Sequence, residues 1–410
     1  MMPPGVSVRR AAYAWIALAA GLAYLNTIPN GLVYDDRVVL PADPLVRQPW
    51  NLPAIFTGVY RIGDRVIGSD YRPLTVWTFA VDHGLNVLAG RPGLDPPLFH
   101  LTNLLLHAGA SVAFCRLLGL LGASGWPRLG AGLLFAVHPL PTESVAGVVG
   151  RSEVLGALFG LLFLAAHRRS RAMPLLPAGC YLLAMWGKES AIMFFPLAIV
   201  LDEVFRVPSA PRPWRAYGLY AATMAGWLLL WFIVLRHESK QFAFVDNPLI
   251  SLSVVGRLCT AAWVHLNFIW LQVLPVGLSS DYSYHQVPLI LTPLDPRALL
   301  GVVVLGAALG IAWKRRRSDP LVTFAILGYP VLFAVTANVL LPIGSTAERH
   351  VYSPSLMSCL LLALAAERAW ARLGRPITVA GLALVALFGG LTVARNTTWH
   401  DDLVFFSTQV

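Results

Sequence analysis

Apolar blocks long enough to cross a lipid bilayer recur along the whole of this chain, separated by short polar breaks. A crossing takes about 20 mostly apolar residues. Blocks near 11–29, 99–121, 129–140, 152–166, 174–187, 190–205, 217–235, 298–313, 320–341, 355–366 and 377–394 are read as spans. Lipid offers backbone N–H and C=O groups no partner, so each block is expected to be helical. The short alternation of a membrane barrel is missing from the sequence. The pattern predicts an all-α polytopic membrane protein with about eleven transmembrane helices. Residues 1–410 are read as one membrane domain, without a soluble domain, low-complexity tract or clear internal repeat. The stretch Arg257–Leu274 is left out of the count, because a single crossing there would move Lys314–Arg317 to the outer side. It is read as an interfacial or re-entrant helix. Leu74–Leu88 has the pattern of a helix lying on the membrane surface.

Composition agrees with this reading. The chain is 57% hydrophobic and only 13% charged, where a soluble domain carries roughly 25% charged residues. A net charge of +10 could point to nucleic acid, but its distribution argues against that partner. With Arg9 and Arg10 inside, the cytoplasmic segments collect 17 Lys+Arg and 4 Asp+Glu, the outside segments 14 and 17. The excess is the positive-inside signal, pinned by Arg168-Arg169-Ser170-Arg171 and Lys314-Arg315-Arg316-Arg317. The first span is expected to be an uncleaved anchor. Cys115, Cys180, Cys259 and Cys359 lie in apolar segments and are read as core packing rather than a disulfide framework. Only Lys188, Lys240 and Lys314 are lysines, against many arginines. That bias of GC-rich genomes leans towards a bacterial inner membrane with the site facing the periplasm; in a eukaryote the location would be the ER membrane.

The segments that could carry chemistry face outward. Residues 30–99 form a large first outside loop, 236–296 a second that holds the interfacial stretch, and 344–354 a short turn. Tyr34-Asp35-Asp36-Arg37 puts two carboxylates side by side, which suits proton transfer and equally suits an acidic turn or helix cap. His138, Glu143, Arg151 and Glu153 crowd a proline-broken turn between spans, where ionisable groups at membrane depth mark a functional site. Ser152 is the expected N-cap of the following span. Lys188-Glu189 either neutralise each other or face a lipid phosphate. Glu348-Arg349-His350 with Tyr352 is either a phosphate clamp or a polar turn. His107 and His265 are read as hydrogen-bonded structural histidines. No spacing matches a zinc site, and there is no Walker or GxGxxG loop.

Taken in order, these segments resemble the membrane half of the transmembrane and tetratricopeptide-repeat (TMTC) family of protein O-mannosyltransferases. The resemblance runs through Tyr34-Asp35-Asp36, Tyr71-Arg72-Pro73-Leu74-Thr75, Phe99-His100-Leu101-Thr102-Asn103 with Leu106-His107, and His138-Pro139 with Thr142-Glu143 and Gly150-Arg151-Ser152-Glu153. It continues through Lys188-Glu189, Asp246-Asn247-Pro248, Leu278 to Tyr284, Ala347-Glu348-Arg349 with Tyr352 and Pro354-Ser355, and Arg395-Asn396 with Trp399. The resemblance implies a GT-C fold and transfer of a sugar, mannose in this family, from a polyprenyl- or dolichyl-phosphate carrier to a protein Ser/Thr hydroxyl or a glycan. The family's extramembrane repeats do not follow, so acceptor recognition is left open.

By that resemblance Asp35 and Asp36 hold the catalytic carboxylate, with Asp35 as base and Asp36 orienting the acceptor or balancing charge. Arg151, Lys188 and Arg349 would clamp the departing phosphate, ordered by His138, Glu143, Glu153 and Glu189. Arg72, His100 and Glu348 complete the expected donor site. The lipid-linked sugar is a substrate, so no cofactor or metal is implied. A transporter or lipid flippase is the alternative class; it would favour charges near the bilayer midplane rather than at span ends. A non-catalytic assembly factor would make the Asp pair dispensable.

Overall fold

The computed structural model of the chain describes residues 4–59, 70–170, 173–207, 209, 211–236, 249, 252–280, 282, 286–337 and 347–408, with side chains from 11 onward. Asp246-Asn247-Pro248, Arg171 and parts of Leu278–Tyr284 and of the 344–354 turn lie outside these residues. All regular elements among the described residues are helical. In chain order they are α1 (Pro4–Tyr24), α2 (Asp35–Ala42), α3 (Leu52–Thr57), α4 (Pro73–Leu88), α5 (Pro96–Leu120), α6 (Gly125–Val137), α7 (Thr142–Ala146), α8 (Arg151–Arg169) and α9 (Leu175–Gly187). There follow α10 (Phe194–Val204), α11 (Trp214–Leu235), α12 (Val254–Val273), α13 (Pro296–Arg315), α14 (Pro320–Phe333), α15 (Tyr352–Leu373), α16 (Arg375–Asn396) and α17 (Asp402–Ser407).

Each of the eleven expected spans contains a helix. Among the described residues, five helices are long and apolar enough to cross a membrane by themselves: α5, α11, α12, α13 and the Arg375–Trp399 stretch built on α16. Several of the others carry buried polar groups, as α8 does with Arg151, Glu153 and His167. Those groups are matched by neighbouring helices, whereas the apolar windows of α11, α13 and the α16 stretch are only 17%, 17% and 11% buried. Local signals set the ends. Proline occupies the first turn of α4, α5, α13 and α14, where its missing N–H costs no helical bond. Ser253 caps α12, Asp295 caps α13 and Asp319 caps α14. Gly374, at φ +69°, permits the tight reversal from α15 to α16.

The largest apolar cluster is drawn mainly from α1, α5, α6, α8, α9, α10, α11, α14 and α15, with Val264, Phe268 and Leu271 of α12 joining it. Close approach of α8 to its neighbours depends on small residues: a Cβ on Gly160 would run into the Phe194 ring, and one on Gly187 would press on Leu155. A second cluster, including Val39, Ile55, Val76, Phe79, Phe99 and Val148, packs the first outside loop onto the bundle. Each buried Phe of this kind is worth about 1.5–3 kcal/mol, so the loop is a folded layer. The helix α4 carries Val76, Phe79 and Ala80 into that layer; its inner face is occupied by protein.

The α12 segment packs on one end of the bundle at both of its own ends. Thr260 shares hydrogen bonds with Ile290 just before α13, and Ala262 abuts Gly301 in the second turn of α13. The Gln272 carbonyl accepts from His138 beyond α6, and the Gln272 amide reaches Tyr329 near the end of α14. Because α13 and α14 are joined by a short turn and run antiparallel, all these contacts lie at the end opposite Lys314–Arg317.

Candidate active site

The alternating helix directions bring the last turns of α1, α6, α9, α14 and α16 to the same end as the first turns of α5, α8, α10 and α15. Nearly all the candidate residues gather there. At its edge the chain turns sharply between Val33 and Asp36. The Asp36 N–H donates to the Val33 carbonyl over 3.1 Å, and Tyr34 sits at φ 55°, ψ −121°. These are the angles of the first central residue of a type II′ turn. Asp35 and Asp36 then occupy the first turn of α2, where the helix N-terminus favours carboxylates.

The two acids point to different surroundings. Asp36 is buried, and its two oxygens accept the N–H groups of Val148 and Val149 at 3.0 and 2.8 Å. Burial pushes its pKa up to about 7, against the pull of those donors. Asp35 keeps 35% of its side chain exposed, and its Oδ2 lies 3.1 Å from Arg349 Nη1. Arg349 is fixed by a third acid. Glu143 Oε1 accepts from the guanidinium at 2.8 Å, and Oε2 from the Arg349 backbone N–H at 2.7 Å. Glu143 is 2% exposed on its side chain, and burial raises its pKa to about 7 although Arg349 opposes the shift.

A second set of charges adjoins the first. Lys188 Nζ lies 3.1 Å from Glu153 Oε1 and 3.4 Å from Glu189 Oε1. Glu189 also receives a bidentate pair from Arg72, at 2.8 and 2.7 Å, and Arg72 further contacts Asp70. An ammonium has three donors, so Lys188 retains one beyond these two carboxylates among the described residues. His350 joins the sets. Burial, then the charges of Arg349 and Lys188, hold it well below the usual histidine range, so it is neutral. Its Nδ1 has no hydrogen-bond partner among the described residues.

Five expected site residues take other roles. Arg151 is fully enclosed at 0% exposure, paired with Asp82 at 2.6 Å, hydrogen-bonded to Asn103 Oδ1 and the Phe99 carbonyl, and stacked over the Phe79 ring. Through Nε and Nη2 it fastens the outside loop to α5. Glu348 is likewise internal, accepting from Ser279 N–H, the Tyr282 hydroxyl and Arg395. Asp36 anchors the Val148–Val149 turn instead of facing an acceptor. His138 accepts the Leu140 N–H at Nδ1, which leaves Nε2 to donate to the Gln272 carbonyl; the ring ties α6 to α12. His100 is buried against the Gly31 carbonyl. Ser152 is also displaced from its expected cap: α8 starts at Arg151 after Gly150. His107 and His265 are hydrogen-bonded and buried, as expected.

The sequence reading gave no role to Asp82, Asp402 or Arg395. Asp82 offered a signal, as a lone acid within the otherwise apolar α4. Arg395 stood among the quoted motifs without a partner. Asp402 lies seven residues beyond it, past the last span.

Residues 236–309, the segment that includes α12 and supplies Ser279 and Tyr282, match the family described as Protein O-mannosyl-transferase TMTC, DUF1736. Over 94% of its length the chain is 28% identical to a Caenorhabditis elegans protein O-mannosyl-transferase, and over 96% it is 26% identical to human TMTC2. The chain is similar to the TMTC protein O-mannosyl-transferases. It spans 56% and 58% of those two relatives' own lengths. Among solved structures, the archaeal oligosaccharyltransferase AglB from Archaeoglobus fulgidus aligns with 98% of the chain and 56% of its own at 12% identity and a TM-score of 0.48. The sequence likeness to these relatives extends over 94% and 96% of the chain.

Proposed function

We propose that this TMTC relative is a membrane glycosyltransferase that moves a sugar, mannose by kinship, from a polyprenyl- or dolichyl-phosphate donor to a hydroxyl acceptor, a protein Ser/Thr side chain, on the non-cytoplasmic face. The observation that carries the reading is the Asp35–Arg349 pair: one accessible carboxylate held 3.1 Å from a cation that a buried glutamate fixes in place. Asp35 takes the proton from the acceptor hydroxyl as that oxygen bonds to C1 of the sugar. The C1–O bond to phosphate breaks, and the electron pair leaves with the lipid phosphate. A single displacement of this kind inverts C1. Positive charge develops on the sugar ring, as in glycoside hydrolysis, and negative charge on the phosphate.

Arg349 and Lys188 are assigned to the phosphate, with Arg72 in the place first given to Arg151. Preorganised cations in a dry site stabilise such a leaving group without reorganising. Glu143, Glu153 and Glu189 hold these cations in position, and the neutral imidazole of His350 is available to a phosphate oxygen or sugar hydroxyl. The test is single-turnover transfer from a defined lipid-phosphate sugar. Asp35→Asn keeps the shape but cannot take the proton, so turnover should fall by about 10²–10⁴-fold, with donor binding little changed. Asp36→Asn should lose less turnover and more thermal stability, because an amide cannot accept both N–H groups. Wild-type turnover in Asp35→Asn would end the assignment.

A further inference from the structure

The stretch beyond α16 makes contacts to the Val33–Asp36 turn that the transfer chemistry leaves unexplained. Asp401 caps α17 by accepting the Val404 N–H, which leaves the Asp402 carboxylate for other work. Its Oδ1 accepts the Tyr34 backbone N–H at 3.0 Å, and its Oδ2 pairs with Arg37 at 2.6 Å. Phe405 stacks on the Tyr34 ring, with centroids 5.1 Å apart, and Trp399 closes against Phe405 at 4.8 Å. The Gly31 N–H donates to the His400 carbonyl at 3.0 Å. Three residues of one short segment, His400, Asp402 and Phe405, thus grip the stretch that leads into α2.

What they grip is strained. Tyr34 is the one non-glycine residue at positive φ among the described residues. The first central position of a type II′ turn is ordinarily glycine, and a side chain there persists only where its surroundings over-determine it. The next residue is Asp35. We propose that Asp402 is a positioning residue for sugar transfer: by accepting the Tyr34 N–H it keeps this turn closed and aims the Asp35 carboxylate at the acceptor hydroxyl. The proposal rests on the reading of Asp35 as the base. Arg37 and Asp402 are therefore not equivalent partners. The ion pair is solvent-exposed on the Arg37 side and of small worth, whereas the hydrogen bond to Tyr34 sets the backbone.

The experiment compares single-turnover transfer and donor binding in monodisperse, detergent-extracted full-length chain. Asp402→Ala should slow transfer by about 10- to 100-fold, the usual consequence of misplacing a catalytic group, while donor affinity stays within about twofold. Asp402→Asn keeps an oxygen for the Tyr34 N–H and should stay near wild type, as should Arg37→Ala. Tyr34→Gly adopts positive φ without strain, so Asp402→Ala should cost little more in that background. A purely structural role would not give this split between rate and affinity or this non-additivity. Wild-type transfer in Asp402→Ala, or an equal loss in Arg37→Ala, overturns the proposal. Where alanine fails to insert, Asp402→Asn still decides, since a tenfold loss there also overturns it. Asp35→Asn is run alongside. If it is slow and Asp402→Ala is normal, only the positioning role fails; if it is normal, the base assignment fails first.

Discussion

Removing the Arg349 guanidinium separates its structural work from its chemistry. The group lies between Asp35 and Glu143, and Glu143 is the buried partner, with both oxygens committed to Arg349. Arg349→Ala leaves that carboxylate enclosed without its counter-charge. Breaking a buried pair from one side costs about 3–5 kcal/mol. Here protonation softens the loss, because burial already places the Glu143 pKa at about 7. The low end of that range, about 3 kcal/mol at pH 8 and less at pH 6, is the expected loss. Glu143→Gln added to Arg349→Ala should recover most of it, since a neutral amide needs no cation and can still accept the residue-349 N–H. Transfer should not recover, because the phosphate has lost Arg349. The assays are the thermal midpoint in detergent at pH 6 and 8, and single-turnover transfer with donor binding. A double variant that regains both stability and transfer would show that Arg349 only neutralises Glu143, and would refute its place on the phosphate.

Two further outcomes follow from the same geometry. Arg151→Met should lower thermal stability by about 3–5 kcal/mol, by stranding Asp82 in a buried site, while the folded fraction binds donor as wild type does. A selective loss of donor affinity at unchanged stability would return Arg151 to the clamp. The pH dependence concerns Glu143. Its pKa in the folded chain, about 7, lies above the ordinary 4.5, so between those values the folded chain holds a proton that the unfolded chain has released. Its contribution to stability is full below about 4.5 and is lost as pH rises to about 7. His350, held low in the folded chain, slopes the other way. The quantity to measure is therefore the midpoint of wild type minus that of Glu143→Gln, in which His350 cancels. That difference should fall from pH 4.5 to 7 and level off above; a rise across the window would contradict the assignment.

Helices were the legible part of this molecule, and the reason is physical. Backbone satisfaction in lipid leaves one local solution per apolar block, so each of the eleven blocks contains a helix, as does the Arg257–Leu274 stretch left out of the count, with ends fixed by nearby Pro, Ser, Asp and Gly. Charge pairing is not local. Asp35 meets Arg349 across 314 positions, Glu143 meets Arg349 across 206, and Arg72 meets Glu189 across 117. Sequence could say that ionisable groups at span ends would be paired, because unpaired they are too costly. It could not say with which partner.

The arginines show what that missing knowledge is worth. Arg72, Arg151 and Arg349 all lie in outward-facing segments, and from residue type alone each suits a phosphate. Their partners decide. Arg151 is fully buried, and its Nε and Nη2 meet an acid, an amide oxygen and a carbonyl beside two aromatic rings. Arg349 meets only carboxylates and keeps 27% of its side chain exposed. The same reasoning divides Asp35 from Asp36. A carboxylate with both oxygens on backbone N–H groups is fixed as architecture, and its neighbour, turned to a shared cation, stays partly exposed. Adjacent residues on a helix point about 100° apart, so an acid pair at a helix start splits naturally into one inward and one outward group. The pairing motif thus serves both ends at once: one acid builds the turn, and the turn presents the other.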